Sequence, residues 1–206
     1  MGILPMSITG VPPVQIQKNM AKMAMLLTGE TPVLRRFVRA PWKGKQMQAR
    51  PVLVVGIGNI LLQDEGVGVH VARALQEEVL PLDVEVLDGG TSGADIIEAV
   101  ADREKLIVID AMQADAEAGA VFRMGMDELA GRDYAGFSLH ELGLLETLQM
   151  AKLLGCLPRE IVIFGVQPKS ISPGFAMTDE VAAVVPRIVK RVVEECGKRG
   201  TTAKTT

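Results

Sequence analysis

An α/β fold with a mostly parallel sheet of roughly five strands is what this sequence predicts, on three observations. Apolar, largely β-branched runs of strand length recur at Val52–Val55, Val84–Leu87, Leu106–Ile109 and Ile161–Val166. Unbroken runs of this kind suit strands covered on both faces. Segments of helical spacing lie between them, and three of the runs stop on a glycine turn or an acid, at Gly56, Asp88 and Asp110. Strands alternating with helices give a layered α/β architecture.

Bulk properties narrow the class. A chain of 206 residues, 48% hydrophobic and 23% charged, is long and apolar enough for one globular domain and is not a disordered chain. No apolar run reaches the roughly 18 residues of a membrane-spanning helix, so no stable membrane insertion is expected. Cys156 and Cys196 are too few for a disulfide framework and lack CxxC spacing, which favours two packing residues in a reducing, cytoplasmic setting. Residues 1–50 carry eight Lys/Arg against one acid, Glu30, while the remainder carries fourteen bases against twenty-four acids. An acidic body argues against a nucleic-acid partner.

Taken in order, residues 1–50 form a basic, Met-rich N-terminal extension, expected to be mobile. They hold six of the eleven methionines and the single tryptophan, with no clear strand. The apolar core of a secretory signal is missing, and Met6 stands where a myristoylation pattern needs Ser or Thr. No function is assigned to this extension. From Pro51 to Cys196 the pattern is that of the folded domain, with residues 197–206 a disordered tail.

The first strand, Val52–Val55, runs into Gly56-Ile-Gly58, where a sharp turn or a close backbone approach is expected. Asp64 is positioned to cap the next helix, and Glu65 falls in its first turn, where the helix dipole favours a carboxylate. Val67, Val71, Ala74, Leu75 and Val79 make the apolar stripe of that helix. A second strand at Val84–Leu87 ends in Asp88-Gly-Gly-Thr-Ser-Gly93, followed by a helix over 94–101. Leu106–Ile109 is the third strand, and 119–123 a short fourth. Ser138-Leu-His-Glu141 has capping-box form and opens a helix to about Leu154. Ile161–Val166 is the last strand, and a closing helix is expected over 179–195.

Four residues sit where strands end or helices begin: Glu65, Asp88, Asp110 and His140. In a parallel sheet these points share the carboxyl edge, where ligands bind in open α/β folds. His140, at a helix start, is disfavoured as imidazolium, and neutral imidazole is the form that binds metal. Two carboxylates with an imidazole suit a borderline divalent transition ion and leave positions open for water or a substrate donor. The other histidine, His70, shares a helix face with Arg73 and Glu77 and reads as an ordinary solvated residue. Dinucleotide binding is the rival for the glycine turn. Leu61 occupies the place of the third glycine of that fingerprint, and Asp64 and Glu65 would set negative charge near a pyrophosphate.

With these residues in hand, the sequence resembles the [NiFe]-hydrogenase maturation endopeptidases. Gly56-Ile-Gly-Asn-Ile-Leu-Leu-Gln-Asp-Glu-Gly-Val-Gly68, Asp88-Gly-Gly-Thr-Ser-Gly93, Ile109-Asp110-Ala, Ser138-Leu-His-Glu-Leu-Gly143 and Gly165-Val-Gln-Pro168 carry the resemblance, from about Pro51 to Cys196. It implies a three-layer αβα enzyme that trims the C-terminal extension of a hydrogenase large-subunit precursor after nickel insertion. It implies metal-binding roles for Glu65, Asp110 and His140, with Asp88 shaping the cleft or positioning substrate. Nickel would arrive on the substrate as the recognition element, with no resident catalytic zinc and no organic cofactor. Water activation stays open between metal polarisation and a carboxylate base. A nickel-checking chaperone without catalysis, or another metal-assisted hydrolase on this fold, are the alternatives.

Overall fold

The computed structural model describes residues 51–91, 99–101, 103–130 and 139–198. The N-terminal extension, most of the helix expected over 94–101, Ser138 of the capping box and the tail from 199 lie outside the described residues. So do the side chains of 129–130 and 139–143.

Five strands form one sheet: β1 (Val52–Ile57), β2 (Val84–Gly90), β3 (Lys105–Ala111), β4 (Val121–Gly125) and β5 (Glu160–Val166). Their order is β2-β1-β3-β5-β4, parallel throughout except for β4, which runs antiparallel to β5. A 3-10 turn (Gln63–Gly66) leads into α1 (Val67–Gln76); α2 (Met126–Ala130), α3 (Leu139–Leu153), α4 (Asp179–Ala182) and α5 (Val185–Gly197) follow.

The chain turns β1's period of two into two separate cores, because successive side chains point to opposite faces. Val52 and Val54 join Val67, Val71 and Leu75 of α1 and Ile188, Val189 and Val192 of α5. Leu53, Val55 and Ile57 face the other way, onto Leu144, Leu145 and Leu148 of α3. Helices therefore cover both faces, giving the αβα sandwich. No helix among the described residues is long and apolar enough to cross a membrane.

Several elements differ from expectation for identifiable reasons. The fourth strand lies two residues later, and β3 takes in Asp110 itself. The closing helix is broken into α4 and α5 at Ala183–Val184. Pro186 has no N–H to give and its ring crowds the carbonyl four residues back, so it is tolerated only in the first turn of a new helix. α1 stops at Gln76, which leaves Val79 97% exposed rather than on the buried stripe.

The amino-terminal edge of the sheet is held by a buried charge cluster. Lys105 Nζ donates to Glu195 Oε1 (2.9 Å) and to the carbonyls of Glu195 (2.9 Å) and Lys198 (3.0 Å), and pairs with Glu160 Oε1 at 3.1 Å. Arg123 adds a fork onto both Glu195 oxygens, at 3.0 and 3.1 Å. The cluster ties α5 to β3, β4 and β5, at the opposite edge from the candidate site.

Candidate active site

Order reverses between β1 and β3. The chain goes from β1 outward to β2, then crosses back to the other side of β1 to build β3. The carboxyl ends at such a switch point open a crevice between diverging connections. Glu65 follows β1 in the 3-10 turn, and Asp110 is the sixth of seven residues in β3. Both candidate acids thus flank the crevice.

Two glycines make the approach possible. Gly58, at φ +142°, lies where a Cβ would collide with the carbonyl of Glu65. Gly68, in the first turn of α1, would drive a Cβ into the carbonyls of Ile57 and Ile109. The helix start therefore rests directly on β1 and β3, and the 3-10 turn packs against β3. Glu65 stands three residues before Gly68, and Asp110 one residue after Ile109, so this contact gathers the two acids.

Asp110 is buried, and its Oδ1 accepts the Ala111 N–H at 2.8 Å. Asp110 Oδ2 and Glu65 Oε2 are both closed off from solvent. His140 is the second residue of α3, as the sequence places it; its imidazole lies outside the described side chains. Among the described residues no three metal-ligating side chains converge.

A pocket of about 300 Å³ lies at the carboxyl ends of β1 and β2, walled by Ile60, Leu61, Val69, Arg73 and Asp88. Asp88 Oδ2 accepts from Arg73 Nε (3.1 Å) and Nη2 (3.0 Å), and its Oδ1 accepts the Gly90 N–H at 3.1 Å. That pair fixes one wall. Neither Glu65 nor Asp110 lines the pocket.

Two expectations need correcting. His70 is not a solvated residue: it is half-buried, with Nε2 shut off from solvent. Burial and then the Arg73 charge hold its pKa below the ordinary imidazole value, with Asp88 opposing them in part. Asp64 makes no capping bond to either helical segment. It is fully buried and instead accepts hydrogen bonds from Lys169, Ser170 and Thr178, far along the chain. Burial pushes its carboxyl up, yet the N–H groups of Ser170, Thr178 and Lys169 outweigh that and hold it below the usual range. No local spacing announces these partners.

Comparison with known proteins bears on the family and the fold. A family model described as "Hydrogenase maturation protease" matches residues 69–195, a stretch holding Asp110 and His140. The chain is similar to the hydrogenase 2 maturation protease of Escherichia coli, 34% identical over 154 residues, covering 74% of this chain and 94% of that one. It is similar also to the hydrogenase expression/formation protein HupD of Thiocapsa roseopersicina, 32% identical over 158 residues, covering 74% and 71%. Among solved structures it resembles the hydrogenase maturating endopeptidase HybD from E. coli, with a TM-score of 0.65 at 34% identity over 70% of this chain and 90% of that one. The maturation protease HybD from Thermococcus kodakarensis gives a TM-score of 0.60 at 29% identity over 71% and 99%.

Proposed function

This chain belongs to the hydrogenase maturation protease family and is an endopeptidase, and we propose that it removes the C-terminal extension of a [NiFe]-hydrogenase large-subunit precursor once nickel has been inserted. Nickel enters as part of the substrate. Glu65, Asp110 and His140 complete the coordination of an ion that the precursor already holds, so an empty precursor lacks the contact that seats its scissile bond. Two carboxylates and an imidazole are the donor set such a borderline ion takes.

The observation that carries this reading is the position of Glu65 and Asp110 on either side of the β1/β3 switch point, gathered there by Gly68 against Ile109. The buried faces of both carboxylates support it, since a desolvated oxygen binds a cation more strongly than a hydrated one. The enzyme works in the cytoplasm, in keeping with two cysteines that form no disulfide.

The test is incubation with an unprocessed precursor in nickel-loaded and nickel-free forms, read by intact mass. Loss of a C-terminal peptide from the loaded form alone is the expected result. Binding without cleavage would leave only a checking chaperone, and indifference to both forms would point to another hydrolase.

A further inference from the structure

We infer that Asp64 is a positioning residue: by fastening the 3-10 turn to the 169–178 loop, it sets Glu65 for the nickel-bearing substrate. This rests on the reading of Glu65 as a nickel ligand.

The carboxylate is saturated by donors from one distant segment. Oδ2 accepts the N–H of Lys169 at 2.9 Å and of Ser170 at 3.0 Å; Oδ1 accepts the N–H of Thr178 at 2.7 Å. The Thr178 hydroxyl lies within reach of both oxygens, at 3.0 and 2.9 Å. Bonds to an ionised acceptor are roughly twice as strong as neutral ones. The backbone doubles the tie. Asp64 N–H donates to the Ser170 carbonyl (3.1 Å), Gln63 N–H to the Gly174 carbonyl (2.9 Å), and Gly174 N–H to the Leu61 carbonyl (2.9 Å).

This fastening acts on a strained turn. Gln63 has φ +48°, a left-handed conformation uncommon outside glycine, and it persists where surrounding contacts over-determine it. Ser170 Oγ donates to Gln63 Oε1 at 2.5 Å, adding one such contact. Glu65 comes next but one, with its carbonyl already pressed against Gly58. Its backbone is thus gripped upstream through Asp64 and sideways through Gly58. A loop glue alone would need neither the strain nor the adjacency.

Asp64→Asn separates positioning from glue, because the amide keeps the volume but turns two donors toward the loop's own N–H groups. The measured quantity is the ratio of affinities for nickel-loaded and nickel-free precursor, taken well below the unfolding midpoint. The expected result is a ratio at least about 10-fold smaller than that of the native enzyme, the range seen when partners behind metal ligands are removed. Affinity for the nickel-free form should not change. A native ratio in Asp64→Asn, with Glu65→Gln strongly narrowed, would make Asp64 structural only and overturn the inference. A native ratio in Glu65→Gln would remove the reading beneath it, and the inference with it. Should Asp64→Asn not fold, Thr178→Val keeps the carboxylate and loses one donor; a narrowed ratio there supports the inference, and a native one overturns it.

Discussion

Gly68 and Ile109 meet so closely that the Ile109 carbonyl occupies the space of a Cβ on Gly68. Glu65 lies on the turn just before Gly68 and Asp110 is covalently next to Ile109, so one backbone contact brings two sequence-distant acids to the switch point. The site is therefore built from main-chain packing before any side chain is placed. Its geometry should be sensitive to a single methyl group.

Gly68→Ala tests this. The added Cβ meets two backbone carbonyls, which cannot rotate away as a flexible side chain would. Overpacking in a tight core costs about 1–3 kcal/mol, and here the strain is relieved only by lifting α1 off β1 and β3. The variant should lose about 2 kcal/mol or more in urea unfolding, together with precursor cleavage. An unchanged unfolding midpoint would mean that the contact is not tight.

If the proposed roles hold, Asp110→Ala and His140→Ala should each abolish precursor cleavage, a loss beyond the roughly 10–100-fold seen when only the partners behind a metal ligand are removed, while circular dichroism stays native. His70→Ala should be nearly silent in the same assay, since His70 sits beside Arg73 and Asp88 rather than at the switch point. Cleavage by both variants at native rate would overturn the proposed roles of Asp110 and His140.

How far the sequence is legible follows from where each signal resides. The four parallel strands show as apolar runs: β1, β3 and most of β5 are buried, while β2, at the sheet edge, is mostly half-buried. Glu65 and Asp110 stand out because both come after such runs. The fate of Asp64 does not show. Its partners lie 105 to 114 residues away, whereas the local pattern, an acid before a helix, favours a cap. His70 misleads similarly: helical spacing alone turns it to solvent, while Asp88 at the end of β2 stands beside that face. Pro186 is visible in the sequence, but apolar spacing on both sides of it bridges the break it causes.

Glu195→Gln should destabilise the fold by about 3 kcal/mol, the low end of the 3–5 kcal/mol for breaking a buried ion pair. The low end applies because Lys105 keeps Glu160 at 3.1 Å and two carbonyls as partners, so its charge is not stranded. Arg123, half exposed, regains water. Urea unfolding of native and variant protein at neutral pH measures the difference; a gap below about 1 kcal/mol, the worth of a surface pair, would show the cluster to be no better than one on the surface.

The same cluster dictates how stability responds to acid. The Arg123 guanidinium, followed by Lys105 and Lys198, holds the Glu195 carboxyl down at about 2, against the opposing effect of its burial and the ordinary 4.5. Between those values the unfolded chain binds a proton that the folded chain refuses, so folding stability falls as pH falls. The contribution is complete above about pH 4.5, declines by about 1.4 kcal/mol per unit below it, and is gone near pH 2, for a total of about 3 kcal/mol. Glu195→Gln has no such proton to take up. The stability gap between native protein and variant should therefore be constant from pH 7 to about 5 and close steadily from about pH 4.5 downward. Unfolding free energies measured in parallel across that range decide it: two curves that stay parallel below pH 4 would mean that Glu195 keeps an ordinary carboxyl in the fold and that the buried cluster does not set the acid limit.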